Sequence, residues 1–122
     1  MRAPYQTGVA GEELAEDYLV KAGMRCLERR YREKCGEVDL IMEDGDTLVF
    51  VEVKARFSKE NPGAGLGAVT AAKQKRLARC ATMYLMKHNA LNHSVRFDVI
   101  EVNREGILHI PNAFQPGGMY FL

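Results

Sequence analysis

Tryptophan is absent from this chain of 122 residues, and cysteine (3), histidine (3) and proline (4) are scarce. The cysteines, Cys26, Cys35 and Cys80, are odd in number and far apart, with no C-x-x-C pair and no histidine placed to complete a zinc site. That spacing argues against both a disulfide framework and a structural zinc. No stretch approaches the roughly 18 uninterrupted apolar residues of a spanning helix. The opening Met1-Arg2-Ala3-Pro4-Tyr5-Gln6-Thr7-Gly8 lacks the apolar core of a signal peptide, so the expectation is a cytoplasmic protein with no membrane partner. Neither sign of charge is in excess: 17 Lys+Arg stand against 16 Asp+Glu, a formal net charge of +1, which excludes binding of polyanions by bulk basicity. Repeats and low-complexity tracts are missing as well. What remains is ordinary globular composition, 47% hydrophobic and 27% charged. One domain over residues 1–122 is expected, with a core at about 8–110 and an irregular tail at 111–122.

The near-neutral total conceals an uneven distribution. Between Val53 and Arg96 the cations Lys54, Arg56, Lys59, Lys73, Lys75, Arg76, Arg79, Lys87 and Arg96 face the single acid Glu60. Acids collect instead at Glu12, Glu13, Glu16 and Asp17, and then at Glu37, Asp39, Glu43, Asp44, Asp46 and Glu52. A basic half beside an acidic cluster suits an enzyme that grips a polyanion and holds a metal; two solvated helix faces and a turn would look the same.

Apolar residues at Ala10, Leu14, Tyr18 and Ala22, widened by Ala15 and Leu19, predict an amphipathic helix over 9–22 that stops at Gly23. The charged segment 24–31 reads as an edge strand. Residues 36–42 and 47–54 read as two strands, joined by the hairpin signal Glu43-Asp44-Gly45-Asp46. Pro62 with Gly63, Gly65 and Gly67 makes 57–67 a loop. Thr70 caps a second helix running to about Lys87, with a buried stripe of Ala72, Leu77, Ala81, Tyr84 and Leu85, and Asn89 ends it. Residues 95–102 and 107–110 complete the order α-β-β-β-α-β-β. A strand, a long helix and another strand predict a right-handed parallel crossover, hence an α/β fold whose mixed central sheet is flanked by helices.

The stretch with the most chemistry is the second hairpin strand. Leu48-Val49-Phe50-Val51 is apolar at every position, as in a strand buried on both faces, yet it runs on into Glu52-Val53-Lys54-Ala55-Arg56. Side chains alternate, so Glu52, Lys54 and Arg56 share one face, with successive members about 6.6 Å apart. Counting outward from a hairpin closed at Asp44-Gly45 sets Asp39 about opposite Val49 or Phe50, a short way along the ladder from Glu52. Carboxylates and a lysine at the rim of a water-poor sheet are costly unless compensated. A divalent cation, Mg²⁺ or Mn²⁺, compensates them, and it binds through one or two carboxylates plus water and phosphate oxygens. A cross-strand salt bridge between Asp39 and Lys54 would do so without any ligand.

Taken together, Gly8, Gly11, Glu12, Ala15, Tyr18 and Leu19, then Gly36-Glu37-Val38-Asp39-Leu40-Ile41, Val49-Phe50-Val51-Glu52-Val53-Lys54 with Arg56, and Ala68-Val69 with Lys73 and Arg76-Leu77 resemble the YraN-like family of uncharacterised bacterial proteins. Through it the chain resembles the restriction-endonuclease-like PD-(D/E)xK nucleases and is similar to the archaeal Holliday junction resolvases. The resemblance spans about residues 8–85. It implies that Asp39 is the motif's aspartate, Glu52 its second acid and Lys54 its lysine, while Glu12 stands where a helix-borne acid completes the metal site. Val38 replaces the proline of the motif's name.

Other residues read less sharply. Glu37 is a supporting acid or a solvated one. Arg56, Lys73, Lys75, Arg76 and Arg79 touch phosphate or form a solvated basic face; on a helix Lys75 and Arg79 make one stripe and Lys73 and Arg76 another, with Lys73 nearer the buried edge. His88, His93 and His109 lack ligand spacing, Cys80 reads as a small core residue, and Tyr18, Tyr84 and Phe97 have core spacing. The functional expectation is a metal-dependent DNA endonuclease, selective for branched or junction DNA and acting as a homodimer. The alternatives are a non-catalytic DNA-binding or assembly protein, and a partner-binding domain using the apolar tail Met119-Tyr120-Phe121-Leu122.

Overall fold

The structure is a computed structural model that describes residues 4–56 and 69–115, with side chains from residue 10 onward. The loop expected at 57–67, Ala68 and the tail Met119–Leu122 lie outside the described residues. Helix α1 (Pro4–Lys21) is followed by strands β1 (Arg25–Glu33), β2 (Gly36–Asp44) and β3 (Thr47–Arg56), helix α2 (Ala71–Lys87), and strands β4 (Ser94–Asn103) and β5 (Gly106–Phe114). Both helices end as their sequences ask. Gly23, at φ +104°, follows α1, where the Met24 N–H reaches the Leu19 carbonyl and the Gly23 N–H that of Val20, a Schellman closure. Asn89, at φ +54°, closes α2 the same way through Ala90 to Leu85 and Asn89 to Met86. At the other end of α2 the Thr70 hydroxyl accepts the Lys73 N–H at 3.1 Å.

The strands form one sheet in the order β1-β2-β3-β4-β5, antiparallel throughout except for the parallel pair β3–β4. That pair is the crossover expected from strand, helix and strand, with α2 as the connection. β3 is therefore interior, and its alternate residues feed two cores. Leu48 and Phe50 pack with Val38, Ile41, Leu77, Ala81, Tyr84 and Leu85 beneath α2. Val49 and Val51 pack with Ala15, Leu19, Leu40, Met42 and Ile100 beneath α1. No helix among the described residues is long and apolar enough to cross a membrane.

Three expectations need correction. The buried line of α1 is Gly11, Ala15 and Leu19, while Leu14, Tyr18 and Ala22 are exposed. Small residues won that face because the helix lies almost on the sheet: a Cβ at Gly11 would stand 3.1 Å from the Ala55 Cβ. Ala72 is exposed, and the buried face of α2 uses Ala78 and Cys80 instead. Residues 111–114, expected in an irregular tail, belong instead to β5, which continues through Pro111 to Phe114. An edge strand tolerates a residue without an N–H, and the ladder shifts between Phe97 and Val99, so that the carboxylate of Asp98 takes the Asn112 N–H at 2.9 Å.

Asp98 is wholly buried and also accepts from the Arg96 guanidinium at 3.0 Å and meets His109 Nε2 at 2.8 Å. His109 is thus a buried-acid partner rather than a surface residue. Tyr18 stacks edge-on against it, with ring centroids 5.5 Å apart. We expect Asp98→Ala to lower the unfolding free energy by about 3 kcal/mol or more, because it leaves the half-buried Arg96 with Asp44 alone and deprives His109 and the Asn112 N–H of their acceptor. Urea denaturation followed by circular dichroism measures this, and a cost below about 1 kcal/mol would contradict the assigned role.

Candidate active site

The β2–β3 ladder begins at Asp44↔Thr47, around the two-residue turn Gly45-Asp46, and ends at Leu40↔Val51. Continuing that count sets Asp39 opposite Glu52, not opposite Val49 or Phe50, because the turn sits one residue later than an Asp44-Gly45 closure assumes. Beyond Leu40 the two strands part. Val38 packs on the α2 side of the sheet and Leu40 on the α1 side, although they are two positions apart. Strict alternation is broken at Asp39, whose carboxylate turns sideways and accepts the Val53 N–H at 2.8 Å.

On β1 the neighbours of Asp39 are equally irregular. Arg29 pairs with Leu40 and Tyr31 with Val38, and Arg30 between them adopts φ +49°. A left-handed arginine inside a strand is a strained residue, and such residues gather at functional sites. Its guanidinium donates to Glu12 Oε1 at 2.8 Å. Nothing in the sequence flagged Arg30, since a left-handed non-glycine leaves no compositional signal.

The opening between β2, β3 and α2 is a cleft of about 210 Å³ lined by Gly36, Glu37, Asp39, Glu52, Lys73, Arg76 and Leu77. Glu52 is 6% exposed and carries two ammonium partners, Lys73 in close contact and Lys54 at 3.4 Å. Among the described residues no ion pair joins Asp39 to Lys54, so the cross-strand bridge weighed from the sequence does not form. Glu12 is held by Arg30, and among the described residues no three His, Cys, Asp or Glu side chains cluster as a ligand set. Glu37 borders the cleft while facing Arg32 at 3.5 Å. Of the basic residues, Lys73 and Arg76 border the cleft and Lys75 and Arg79 lie exposed on the outer face of α2. The Arg56 guanidinium turns back to the Ala55 carbonyl at 3.3 Å.

The electrostatics follow from burial. Desolvation first, then repulsion from Glu52, push the Asp39 carboxyl up to about 7; the Val53 N–H and Lys73 only partly oppose them. Burial pulls Lys54 below the ordinary lysine range, assisted by Lys73 and opposed by the charge of Glu52. For Lys73 burial acts the same way, but the hydrogen bond and charge of Glu52 outweigh it and raise the ammonium. Two hard oxygen donors that repel each other across a small cleft fit a divalent cation, which takes one or two carboxylates and fills its remaining positions with water.

A sequence profile described as uncharacterised protein family UPF0102 matches residues 11–102, a span that runs from within α1 through β2, β3 and α2 into β4. The chain belongs to the UPF0102 family. This is the YraN-like family that the motifs resembled. A UPF0102 protein of Symbiobacterium thermophilum is 48% identical over 99 residues, covering 80% of this chain and 81% of that one. Relatives from Herminiimonas arsenicoxydans (44% identical, 88% of this chain and 86% of that one) and Geobacter metallireducens (43%, 88% and 91%) are similar along most of their length. Among solved structures, SfsA of Pyrococcus furiosus in complex with Ca²⁺ aligns with a TM-score of 0.40 at 16% identity, over 88% of this UPF0102 chain and 62% of that longer one.

A titration at Asp39 makes the stability of the protein depend on pH. The folded-state value, near 7, lies above the ordinary 3.8, so the folded protein binds this proton more tightly than the unfolded chain. The stabilisation is complete below about pH 4 and is lost as pH rises through 7. Asp39→Asn keeps an acceptor for Val53 and cannot titrate. It should therefore gain on the wild type by on the order of 2 to 4 kcal/mol between pH 4 and pH 8 in urea denaturation. A wild-type-to-variant difference that stays constant across that window would contradict the assigned environment.

Proposed function

We propose that this UPF0102 protein is a metal-dependent DNA endonuclease, selective for branched or junction DNA, that hydrolyses phosphodiesters. The observation that carries the reading is the fork: Asp39 and Glu52 face each other where the ladder opens, with Lys54 and Lys73 beside them and the cations of α2 at the rim. Structural ion pairs alone do not call for parted strands or a cleft.

Asp39 and Glu52 would hold the cation, Mg²⁺ or Mn²⁺, and Glu12, which is paired with Arg30, would complete the site. Once bound, such an ion neutralises a phosphate and makes water a stronger acid. The chain's own groups do the rest. Lys54, drawn toward neutrality by burial, orients the attacking water or balances charge on the phosphate. Lys73, which pairs with Glu52 at the wall of the cleft, would balance charge on the phosphate. Water attacks phosphorus in line and gives up a proton to solvent, a new P–O bond forms, the bond to the departing sugar oxygen breaks, and that oxygen takes up a proton from solvent. Arg56, Arg76, Lys75 and Arg79 grip neighbouring phosphates, which sets orientation and not sequence preference. A homodimer supplies two such sites for the two strands of a branched substrate.

The saturation of Glu52 by two lysines favours a second reading. A carboxylate neutralised internally needs no metal, as in a DNA-binding or assembly protein that keeps this fold without catalysis.

Purified protein incubated with branched, flapped and linear DNA and Mg²⁺ or Mn²⁺ separates the two readings. We expect cleavage of the branched substrate, reduced roughly 100-fold or more by Asp39→Asn or Glu52→Gln with binding retained. Binding of all these DNAs without cleavage under either metal supports the second reading instead. The basic face is tested separately. Lys75→Glu with Arg79→Glu should weaken binding to every DNA similarly and lower the salt slope by roughly one unit or more. Unchanged binding across a salt series would remove α2 from the docking surface.

A further inference from the structure

Two thiols approach one another at the edge of the cleft, and nothing in the proposed reaction uses them. Cys35 lies in the short turn between β1 and β2, and Cys80 on the buried face of α2, 45 residues further along the chain. Their Sγ atoms are 3.3 Å apart and both cysteines are free. A disulfide requires about 2.05 Å, so a closure of roughly 1.3 Å separates the two states. The turn holding Cys35 is at the surface, with Lys34 beside it exposed. The remaining cysteine, Cys26, packs into the core beneath α1, on the opposite face of the sheet, and cannot compete for either partner.

We propose that Cys35 and Cys80 are a peroxide-responsive modification site, whose disulfide ties the β1–β2 turn to α2. Cys35 is the more exposed thiol and reacts first. Burial, and then the hydrogen bond to Cys35, push the Cys80 thiol up to about 12, which keeps it protonated until its partner has been oxidised. The Cys35 thiolate attacks hydrogen peroxide: an S–O bond forms, the O–O bond breaks, and the departing hydroxide leaves as water with the proton that Cys35 gave up. Cys80 then attacks the Cys35 sulfur. The S–S bond forms, the S–O bond breaks, and the second hydroxide leaves as water with the Cys80 proton. In sum two thiols are oxidised and one peroxide is reduced to two waters.

The bond joins the two walls of the cleft. Gly36 and Glu37, directly after Cys35, line one wall, and Arg76 and Leu77, one turn before Cys80, line the other. A covalent tie there fixes the width of the opening. Cytoplasmic disulfides, where they occur, are mostly transient and redox-sensing, which suits a pair that is poised but reduced. The site stands on the sulfur geometry alone and holds whether or not the protein cleaves DNA.

The test uses the full reduced chain, treated with hydrogen peroxide, alkylated at the remaining thiols and analysed as intact protein and as peptides. We expect the reactive thiols to fall from three to one. The mass should drop by about 2 Da, with a Cys35–Cys80 linked peptide that dithiothreitol removes. The same link should form in Cys26→Ser and be lost in Cys35→Ser, and the melting temperature of the linked protein should rise by roughly 5 °C or more. Oxygen-added masses without a linked peptide, or links only through Cys26 or between chains, would overturn the proposal. A linked protein with an unchanged melting temperature would overturn the tie between the walls.

Discussion

The carboxylate of Asp39 takes over, at one point in the sheet, the work of a backbone carbonyl. By accepting the Val53 N–H at 2.8 Å it satisfies a strand that is leaving its partner, and the β2–β3 ladder can open without an orphaned donor. The fork, the cleft and the exposure of Glu52 to α2 all depend on that substitution. The same displacement breaks the alternation between Val38 and Leu40 and is matched on β1 by the left-handed Arg30. Strain and opening thus coincide at one level of the sheet.

Burial makes this local arrangement electrostatically expensive. Two acids on adjacent interior strands lose hydration where those strands part, and their mutual repulsion drives Asp39 toward neutrality. Lys54 and Lys73 restore balance at Glu52, yet paired charges of this kind seldom stabilise more than well-packed apolar residues would. A cluster that contributes little to stability and sits in a cleft is better understood through what it can bind. The covalent chemistry available to Cys35 and Cys80 acts on the same walls from the outside.

The opposite face of the sheet works the other way. There Asp98 gathers Arg96, His109 and the Asn112 N–H and closes the edge at β5, while Gly11 and Ala15 bring α1 down onto the strands. One face is sealed by close packing and a satisfied polar cluster. The other is packed beneath α2 and opens only where β2 and β3 part, so the sheet is a rigid support for a site on a single side.

Much of this was legible in the chain itself. The element order, the caps at Thr70, Gly23 and Asn89, and the interior position of β3 follow from local signals: capping chemistry, turn residues, and an apolar run without alternation. The collection of Asp39, Glu52 and Lys54 in one region followed from strand periodicity and a hairpin. Composition could not supply the partner of each charge. The sequence alone leaves Lys54 free to pair with either acid, and Glu12 free to join them. It also hides Asp98 within an alternating strand, and it sets Leu14, Tyr18 and Ala22 on the buried stripe of α1, where only Ala15 and Leu19 of the expected residues are buried together with Gly11. Those choices depend on close approach between elements distant in the chain: a glycine against Ala55, an arginine forced to positive φ, two thiols meeting across 45 residues. Local sequence determines which elements form and which face each prefers, because those preferences are set within a few residues. Which charges meet is decided only when the elements pack, because Coulomb and hydrogen-bond energies depend on distances that no single segment contains.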